Sequence, residues 1–544
     1  MISSLLKHIS FFILLIQAFP LFAQEIQEEK VYVHLNKTIA ITGESIWFDL
    51  RVATSSGECH SRIVYGELVN REGKGVQQSI FTLENGKAEG SLEIPGNLVS
   101  DHYILRFYTR ISPMMGNEGI DNQFITVINP KNPPKTGTNK TSGLLHYSPK
   151  KASLQENLIS ESNAKKRSML TPDLGGMEGE NMTISVSIKN PFLLDDFKGR
   201  FNREIYQAQQ GDKKWIPEPF GHVVFGKNLV AEIDTTETFF LSSHGSQSVL
   251  NTAKPKPNGD LFFDLGALKQ YDYFIIQSSK WEQQLNFSIQ SPFCTLKFKE
   301  DFVFPELILE EKDRPFLLDL IAAGKVSPYF YQPKSTDFQS IVTGFVADKT
   351  YLLDDYTRFD KLETVLREYV PEVAVRSQSK KTVFKLLNSP ISSVFEQNPL
   401  MLIDAMPVFD SDVMATFNPE KIQKLEVLSR EFFLNADRFA GVLSFTSYEN
   451  DFGGYELPAT ALYLNYPLIQ PKKALQSPHF NAKRDQSNFP DFRNALFWKS
   501  EIISTADFDQ IFTSEIQGEF EITISFYDEK GDFKMFRDGF EVRN

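Results

Sequence analysis

The two cysteines are the residues of this sequence best suited to covalent chemistry. Cys59 lies in "GECHSR" and Cys294 in "PFCTLK". An internal thioester would need a Gly-Cys-Gly-Glu-Gln type loop, in which a nearby Gln acylates the cysteine, and neither cysteine has those neighbours. In an oxidising compartment the two could form one long-range bridge, although a framework of disulfides is absent. We expect two ordinary free or buried cysteines, with the single bridge as the alternative.

The histidines are the next candidates, as ligands for a metal ion. Metal sites prefer His, Cys and carboxylates at short, fixed spacings. None of the eight histidines has a second histidine at the i, i+4 spacing that would place both on one helix face. His34, His60 and His102 fall within about 70 residues and could meet in a folded domain. Lone histidines on strands are more often surface or hydrogen-bonded core residues, so we predict no metal site.

Acidic residues cluster in "LLDDYTRFD" and "VFDSD". Asp354, Asp355, Asp410 and Asp412 have the oxygen ligands that Ca²⁺ prefers. Both clusters lack the Gly-centred loop and the terminal Glu of an EF-hand. The alternative is that these side chains cap helices or lie in solvated turns, and we favour it.

No other motif points to catalysis. The sequence has no Gly-x-Ser-x-Gly elbow and no Gly-rich phosphate loop. The two carboxylates of a glycosidase can lie far apart in sequence, but nothing selects two from the 70 acidic residues. We therefore predict a protein that is not an enzyme, with no catalytic, metal or cofactor-binding residue.

The elements that would position these residues are mainly strands. From Glu29 to Asn129, apolar and polar residues alternate in seven short runs separated by turn signals such as "TGE", "REGKG" and "ENGKAEG". Seven short strands in about 100 residues are typical of an antiparallel β-sandwich. A second series of alternating runs follows the polar stretch "NPKNPPKTGTNKTSG", which reads as a linker.

Later segments change character. "PELILEEKDRPFLLDLIAAGKVSPYF" has helical spacing, with Leu317, Leu318, Leu320 and Ile321 in one stripe and Gly324 as the expected stop. "RFDKLETVLREYVP" predicts an amphipathic helix, and "LMLIDAMPVF" predicts a strand, a turn and a strand. The last run, 514–542, predicts a closing hairpin or part of a third sandwich.

The fold class is therefore mainly β and multidomain, with antiparallel sandwiches and one small α+β domain. The predicted divisions are a signal peptide at 1–23, a first sandwich at 24–130, a linker at 131–175, a second sandwich at 176–300, a helical or irregular connector at 301–348, the α+β domain at 349–455, and a C-terminal segment at 456–544.

The N-terminus predicts export. Lys7 precedes an apolar run that is too short to span a bilayer, and Ala23 offers a small residue at a cleavage position. A membrane anchor is the alternative. The 48 Phe residues supply apolar material for several β-rich cores, and the net charge of −13 argues against nucleic acid as a partner.

The first sandwich resembles a known family. "EKVYVHLNKTIAITGESIWFDLRV", "VYGELVNREGKGV" and "LENGKAEGSLEIPGNLVSDHYILRFYTR" are similar to the MG2-type macroglobulin domain carried by many secreted Bacteroidota proteins. The resemblance covers most of residues 29–128. Gly43, Gly86 and Gly90 fall where we expect turns with positive φ.

The α+β domain resembles a second family. "YLLDDYTRFDKLETVLREYVPEV", "NPLMLIDAMPVFDSDVMATFNPEKIQKLEVLS" and "FAGVLSFTSY" are similar to the plug domain of TonB-dependent receptors. Ala405 stands where that family usually has Gly, which disfavours a left-handed turn there. The barrel of such receptors needs about 22 strands of about ten residues each, and the segment after Tyr448 is too short for it. We expect no transport through this chain.

Together these features predict a non-enzymatic, exported protein that associates with protein partners in the outer membrane, in the periplasm or on the cell surface. Exposed edge strands bind partners by strand addition without special side chains. Two alternatives remain open. One is a polysaccharide hydrolase with dispersed carboxylates, and the other is a macroglobulin-like protease trap without a thioester, with the linker as its bait.

Overall fold

The computed structural model describes residues 28–55, 57–133, 158, 163–172, 180–193, 205–207, 218–245, 247–266, 271–330, 341–466, 469–470, 490–502, 510–528 and 532–544. The predicted signal peptide and most of the predicted linker lie outside these ranges. Within them the chain is mainly β and is built from several sheets, most of them antiparallel, which confirms the predicted fold class.

The first sandwich contains the eight strands at the start of the described chain. They are β1 (Glu29–Leu35), β2 (Ile39–Ile41), β3 (Ser45–Thr54), β4 (Ile63–Val69), β5 (Gly75–Thr82), β6 (Lys87–Glu93), β7 (Asp101–Tyr108) and β8 (Asp121–Ile128). One sheet has the order β1-β3-β6, and the facing sheet runs β2-β8-β7-β4-β5. Val31, Phe48, Leu50, Phe81 and Phe107 are among the residues that fill the space between the sheets. The alternation in the sequence arises because each strand turns every second side chain into this core.

Two of the three glycines highlighted by the sequence occupy turns. Gly43 has φ of 90° and Gly86 has φ of 74°, as predicted. The prediction for Gly90 is wrong, because this residue lies inside β6. A Cβ atom there would come within 3.1 Å of the rings of Phe48 and Phe81, so the glycine makes room for the aromatic core.

The later elements follow in chain order. They are β9 (Asn163–Lys165), β10 (Met169–Leu170), β11 (Glu180–Ile188), β12 (Val223–Asn228), β13 (Phe239–His244), β14 (Gln247–Ala253), β15 (Asp260–Asp264), β16 (Tyr273–Ser278), β17 (Phe287–Ile289), α1 (Arg314–Phe330), β18 (Ile341–Thr343), β19 (Lys349–Leu352), α2 (Leu362–Tyr369), β20 (Val373–Gln378), β21 (Lys381–Asn388), β22 (Ser393–Val394), β23 (Leu400–Ile403), β24 (Met406–Pro407), α3 (Ser411–Thr416), β25 (Ile422–Leu428), β26 (Phe432–Leu434), β27 (Asp437–Phe439), β28 (Val442–Ser447), β29 (Leu462–Asn465), β30 (Ile469–Gln470), β31 (Ala495–Ile502), β32 (Ile511–Phe512), β33 (Gly518–Tyr527) and β34 (Phe533–Arg543).

The second sandwich recruits strands from beyond its predicted range. Its sheets have the orders β15-β12-β17 and β18-β14-β13-β16-β29. β29 pairs with β16, and β30 pairs with β5 of the first sandwich. The chain therefore returns to both sandwiches after it leaves the α+β domain, which differs from the expected separate segment at 456–544.

A sheet near the C-terminus combines strands that are distant in sequence. Its order is β31-β11-β33-β34-β9, and we call it the C-terminal sheet. β11 was expected to open the second sandwich, yet Ile184 pairs with Ile524 of β33. β9 was expected in the linker, yet it pairs with β34. The predicted hairpin of 514–542 is present as β33 and β34. It pairs with β11 and β9, which lie more than 300 positions earlier in the sequence.

Helix α1 covers one edge of the first sandwich. The prediction that Gly324 ends this helix is wrong, because α1 continues to Phe330. A Cβ atom at Gly324 would lie 3.6 Å from Cβ of Ile41 in β2, an ordinary van der Waals distance, so the helix packs directly against this strand. Among the described residues, no helix has the length and apolar character needed to cross a bilayer.

Residues 345–455 form the unit that we call the α/β unit. Its main sheet has the order β19-β25-β28-β23-β24, and β20, β21 and β22 form a second, smaller sheet. Helices α2 and α3 pack on the side of Leu425, Phe445 and Phe384. The other side of the main sheet meets the second sandwich, where Leu402 and Val442 share a core with Phe240 and Leu250.

The turn between β23 and β24 corrects the expectation for Ala405. Asp404 has φ of 48° and Ala405 has φ of 67°, so both residues are left-handed. The buried Asp404 carboxylate stabilises this turn. It accepts hydrogen bonds from Ser447 N at 2.8 Å, Ser447 Oγ at 2.6 Å and Phe452 N at 2.8 Å. These bonds offset the roughly 1–2 kcal/mol that a left-handed residue with a Cβ atom costs.

Candidate functional site

His34 joins the first sandwich to the C-terminal sheet. Its Nδ1 lies 2.7 Å from Ser525 Oγ and its Nε2 lies 2.8 Å from Ser185 Oγ. The side chain is fully buried, and this desolvation lowers its pKa to about 3. The imidazole is therefore neutral near pH 7 and serves as a hydrogen-bonding link between two sheets.

The other two candidate histidines have different surroundings. His102 is buried, its Nδ1 lies 3.0 Å from Thr126 Oγ1, and burial lowers its pKa to about 4. His60 is exposed in a loop. His34 and His102 form their hydrogen bonds with different residues. Within the described ranges, no group of three or more His, Cys, Asp or Glu side chains is arranged to hold a metal ion.

Neither cysteine forms a disulfide in the structure. The Cys59 Sγ lies 3.7 Å from Glu29 Oε1, and burial together with this carboxylate raises the pKa of the thiol to about 12. Because the thiolate is the reactive form, Cys59 is a poor nucleophile at neutral pH. Cys294 is buried, and its backbone N–H donates to Tyr108 Oη at 2.9 Å.

Three of the four candidate calcium ligands are engaged by donors of the chain. Asp410 caps α3 by accepting from the N–H groups of Asp412 and Val413. Asp412 Oδ1 accepts from the backbone N–H of Thr382 at 2.7 Å. Asp354 accepts from Arg358 Nη2 at 2.6 Å and also from the Tyr448 hydroxyl. Asp355 is exposed. Only Asp410 is a helix cap, whereas Asp412 links α3 to β21 and Asp354 forms an ion pair with Arg358.

Sequence reasoning missed a buried charged network between the two sandwiches. Glu67 Oε2 accepts from Arg106 Nε at 2.6 Å and from Tyr108 Oη at 2.8 Å. Arg106 also donates to the carbonyl of Cys294 at 3.2 Å. The Glu67 and Arg106 side chains are almost completely buried. Such a pair needs these additional hydrogen bonds to offset its desolvation.

A second network lies beside the first and contains the groups of an acid–base relay. His222 Nδ1 lies 3.0 Å from Glu218 Oε1, and its Nε2 lies 2.9 Å from Tyr466 Oη. Tyr65 donates to Glu218 Oε2 at 2.7 Å, and Arg110 donates to Tyr65 Oη at 2.8 Å. Burial lowers the pKa of His222, while the hydrogen bond from His222 and the charge of Arg110 lower the pKa of Glu218 against its desolvation. Four of the five side chains are buried, and the Arg110 side chain is 13% exposed. No sequence signal links them, since they come from four distant segments.

A cleft of about 290 Å³ lies near the contact of β6 with β31. Asp49, Glu84, Glu89, Lys87 and Glu501 are among its lining residues. Thr183 donates to Asp49 Oδ2 at 2.6 Å, and Ser500 donates to Glu89 Oε1 at 3.0 Å. These carboxylates therefore have bonds across the interface between the first sandwich and the C-terminal sheet.

The α/β unit exposes an edge strand with unusual surroundings. β19 is at the end of the main sheet, and its residues Lys349, Thr350 and Leu352 are exposed. Val346, three residues before β19, is 79% exposed, Leu352 is 49% exposed and Ile391 is 70% exposed. Ser429 links β19 to the end of β21, because it bonds to Asp348 directly before β19 and to Ser389 directly after β21. We call residues 346–352, together with Ile391 and Val394, the edge surface.

The comparisons with known proteins give only weak structural likenesses. No protein-family model matches the chain, and no curated protein matches it. Matching solved structures include the native alpha-2-macroglobulin of E. coli, with 8% identity and a TM-score of 0.22, and Salmonella alpha-2-macroglobulin reacted with methylamine, with 8% identity and a TM-score of 0.21. The matches cover 95% of this chain but only 40% and 39% of those proteins. At scores this low the likeness is weak and says nothing about function.

Proposed function

We propose that this chain is a non-enzymatic protein of the cell envelope that works by binding another protein. The edge surface of the α/β unit is the binding region. The observation that carries the proposal is the exposed edge strand β19 with bare aliphatic side chains at both of its ends. An edge strand presents unpaired backbone N–H and C=O groups, and a partner can add a strand there without any special side chain.

Two other sheet edges of the described chain are blocked by side chains. At β1, Asp121 accepts from the backbone N–H of Val33 at 3.1 Å, and Gln123 donates to the carbonyl of Val33 at 2.8 Å. At β24, Gln277 of the second sandwich donates to the carbonyl of Pro407 at 3.0 Å. Proteins commonly block edges in this way because free edges bind other chains.

The aliphatic side chains add a second reason. Val346 and Leu352 lie on the same short segment as the free edge, and burying such side chains on binding contributes about 25 cal/mol per Å² of apolar area. A strand paired to β19 would cover them. Export of this chain, proposed from residues 1–23, places the partner in the periplasm or the outer membrane.

Affinity purification from the native envelope in mild detergent tests the proposal. The tagged chain is compared with the double variant Val346→Asp/Leu352→Asp and with the control Ile308→Asp/Leu318→Asp, whose residues are 64% and 57% exposed and lie outside the α/β unit. We expect a protein to co-purify at near-stoichiometric yield with the unaltered chain and the control, and to be lost with Val346→Asp/Leu352→Asp. Recovery of the chain alone, or equal recovery by both variants, would contradict the proposal.

A further inference from the structure

The hairpin of β20 and β21 has one buried face and one exposed face. Val375, Phe384 and Leu386 point into the core of the α/β unit. Because side chains alternate along a strand, Arg376 and Lys381 occupy the opposite face. The register pairs Arg376 with Val383 and Gln378 with Lys381, so the two cations are close diagonal neighbours.

This outer face collects positive charge in an acidic unit. Lys380 occupies the left-handed turn at the tip with φ of 65°, beside Arg376 and Lys381, and all three are exposed. In the described part of the chain none of the three forms an ion pair. Residues 345–455 contain 17 Asp and Glu against 12 Lys and Arg, so the cluster opposes the charge around it.

The base of the hairpin touches the edge surface. Glu372 lies directly before β20, and its Oε2 accepts a hydrogen bond from the Tyr351 hydroxyl of β19 at 2.5 Å. Ser389, directly after β21, bonds to Ser429 at 2.8 Å, and Ser429 bonds to Asp348. A partner that pairs with β19 would therefore lie beside the hairpin. Ile391 and Val394 are exposed between the two regions.

We propose that the outer face of this hairpin binds an acidic segment of the partner protein. The inference rests on the proposed function and adds the chemistry of the partner. Charge complementarity is its basis, since Arg376, Lys380 and Lys381 form no ion pair with the described residues, while the chain has a net charge of −13. An anionic bilayer fits less well, because a broad surface would also face the acidic remainder of the unit within a screening length of about 8 Å.

The test measures binding of a fluorescent 20-residue Glu-rich peptide to the purified full chain by anisotropy. The triple variant Arg376→Ala/Lys380→Ala/Lys381→Ala is compared with Lys74→Ala/Lys361→Ala/Lys421→Ala, which removes the same charge from three scattered exposed positions. Exposed charge pairs contribute modestly, so we expect about 10-fold weaker binding by the first variant and less than about 3-fold by the second. Raising the salt concentration should weaken binding by the unaltered chain.

Equal loss in the two variants, or no loss in the first, would overturn the inference. The inference would also be overturned if the first variant lost binding to vesicles with 30% anionic lipid but still bound the peptide. The proposed function fails separately. If the first variant loses the peptide in the predicted way while the unaltered chain recovers no envelope protein, the hairpin chemistry stands and the proposed function falls. If an envelope protein co-purifies but no chain binds the peptide, the reverse holds.

Discussion

The replacement of His34 by Gln should make the stability of the chain less sensitive to acid. His34 is buried between Ser185 and Ser525, and its pKa is lowered to about 3 from 6.5. The unfolded chain therefore takes up a proton at this residue below pH 6.5, whereas the folded chain does not. The stability conferred by a neutral His34 is complete above pH 6.5 and is lost as the pH falls from 6.5 towards 3.

The size of the effect follows from that shift. At pH 7.5 the free energy of protonation in the unfolded state is negligible. At pH 5.0 it favours unfolding by about 2 kcal/mol, since each pH unit below 6.5 is worth about 1.4 kcal/mol. Gln keeps a hydrogen-bonding side chain but does not titrate. The unaltered chain should therefore lose about 2 kcal/mol more than His34→Gln between the two pH values.

Urea unfolding at pH 7.5 and pH 5.0, followed by tryptophan fluorescence, measures this difference. The ring of Trp498, one of four tryptophans, lies 5.5 Å from that of His34, so part of the signal reports on this interface. His60→Gln is the matched control, because His60 is exposed, and it should follow the unaltered chain at both pH values. If His34→Gln lost as much stability as the unaltered chain on acidification, the assignment of a buried neutral histidine would be refuted.

Variants at three further sites test the buried polar groups and the left-handed turn by urea unfolding. Asp404→Ala removes an acceptor of three hydrogen bonds and should lower the free energy of unfolding by about 3–5 kcal/mol. Asp404→Asn should lower it by less, and equal losses would contradict the role of the carboxylate. Glu67→Gln leaves the Arg106 guanidinium buried without its counter-charge and should cost about 3–5 kcal/mol, while Glu67→Leu/Arg106→Met should recover much of that loss. Ala405→Gly should change stability by less than about 1 kcal/mol, because relief of the left-handed strain is offset by unfolded-state entropy and by the loss of a buried methyl group.

The local patterns of the sequence were sufficient to predict strands but not their partners. The alternation in β1 to β8 and in the 514–542 run reports which side chains face a core, and that is a local property. The pairing of β11 with β31 and β33 depends on contacts over more than 300 residues, for which no periodicity gives a signal. The chain leaves the C-terminal sheet, builds the second sandwich, inserts the α/β unit and then returns. A division into consecutive domains was therefore bound to misplace β9, β11, β29 and β30.

The candidate functional residues show the same difference between local sequence signals and long-range contacts. Caps such as Asp410 follow from local rules, because the acceptor and the helix start are adjacent in sequence. The networks of Glu67 with Arg106 and of Glu218 with His222 and Tyr466 arise only where the sandwiches meet. Ala405 is a different case, because the carboxylate of the preceding residue, bonded to Ser447 and Phe452, holds a turn that residue type alone disfavours.

Site-specific photo-crosslinking in the native envelope tests the central claim most directly. A photoreactive amino acid is placed at Thr350, on the exposed edge of β19, and in a control chain at Leu318 of α1. The account predicts one dominant crosslinked protein from position 350, lost in the Val346→Asp/Leu352→Asp background, and none from position 318. Absence of any crosslink at Thr350, or the same products from both positions, would contradict binding through this edge.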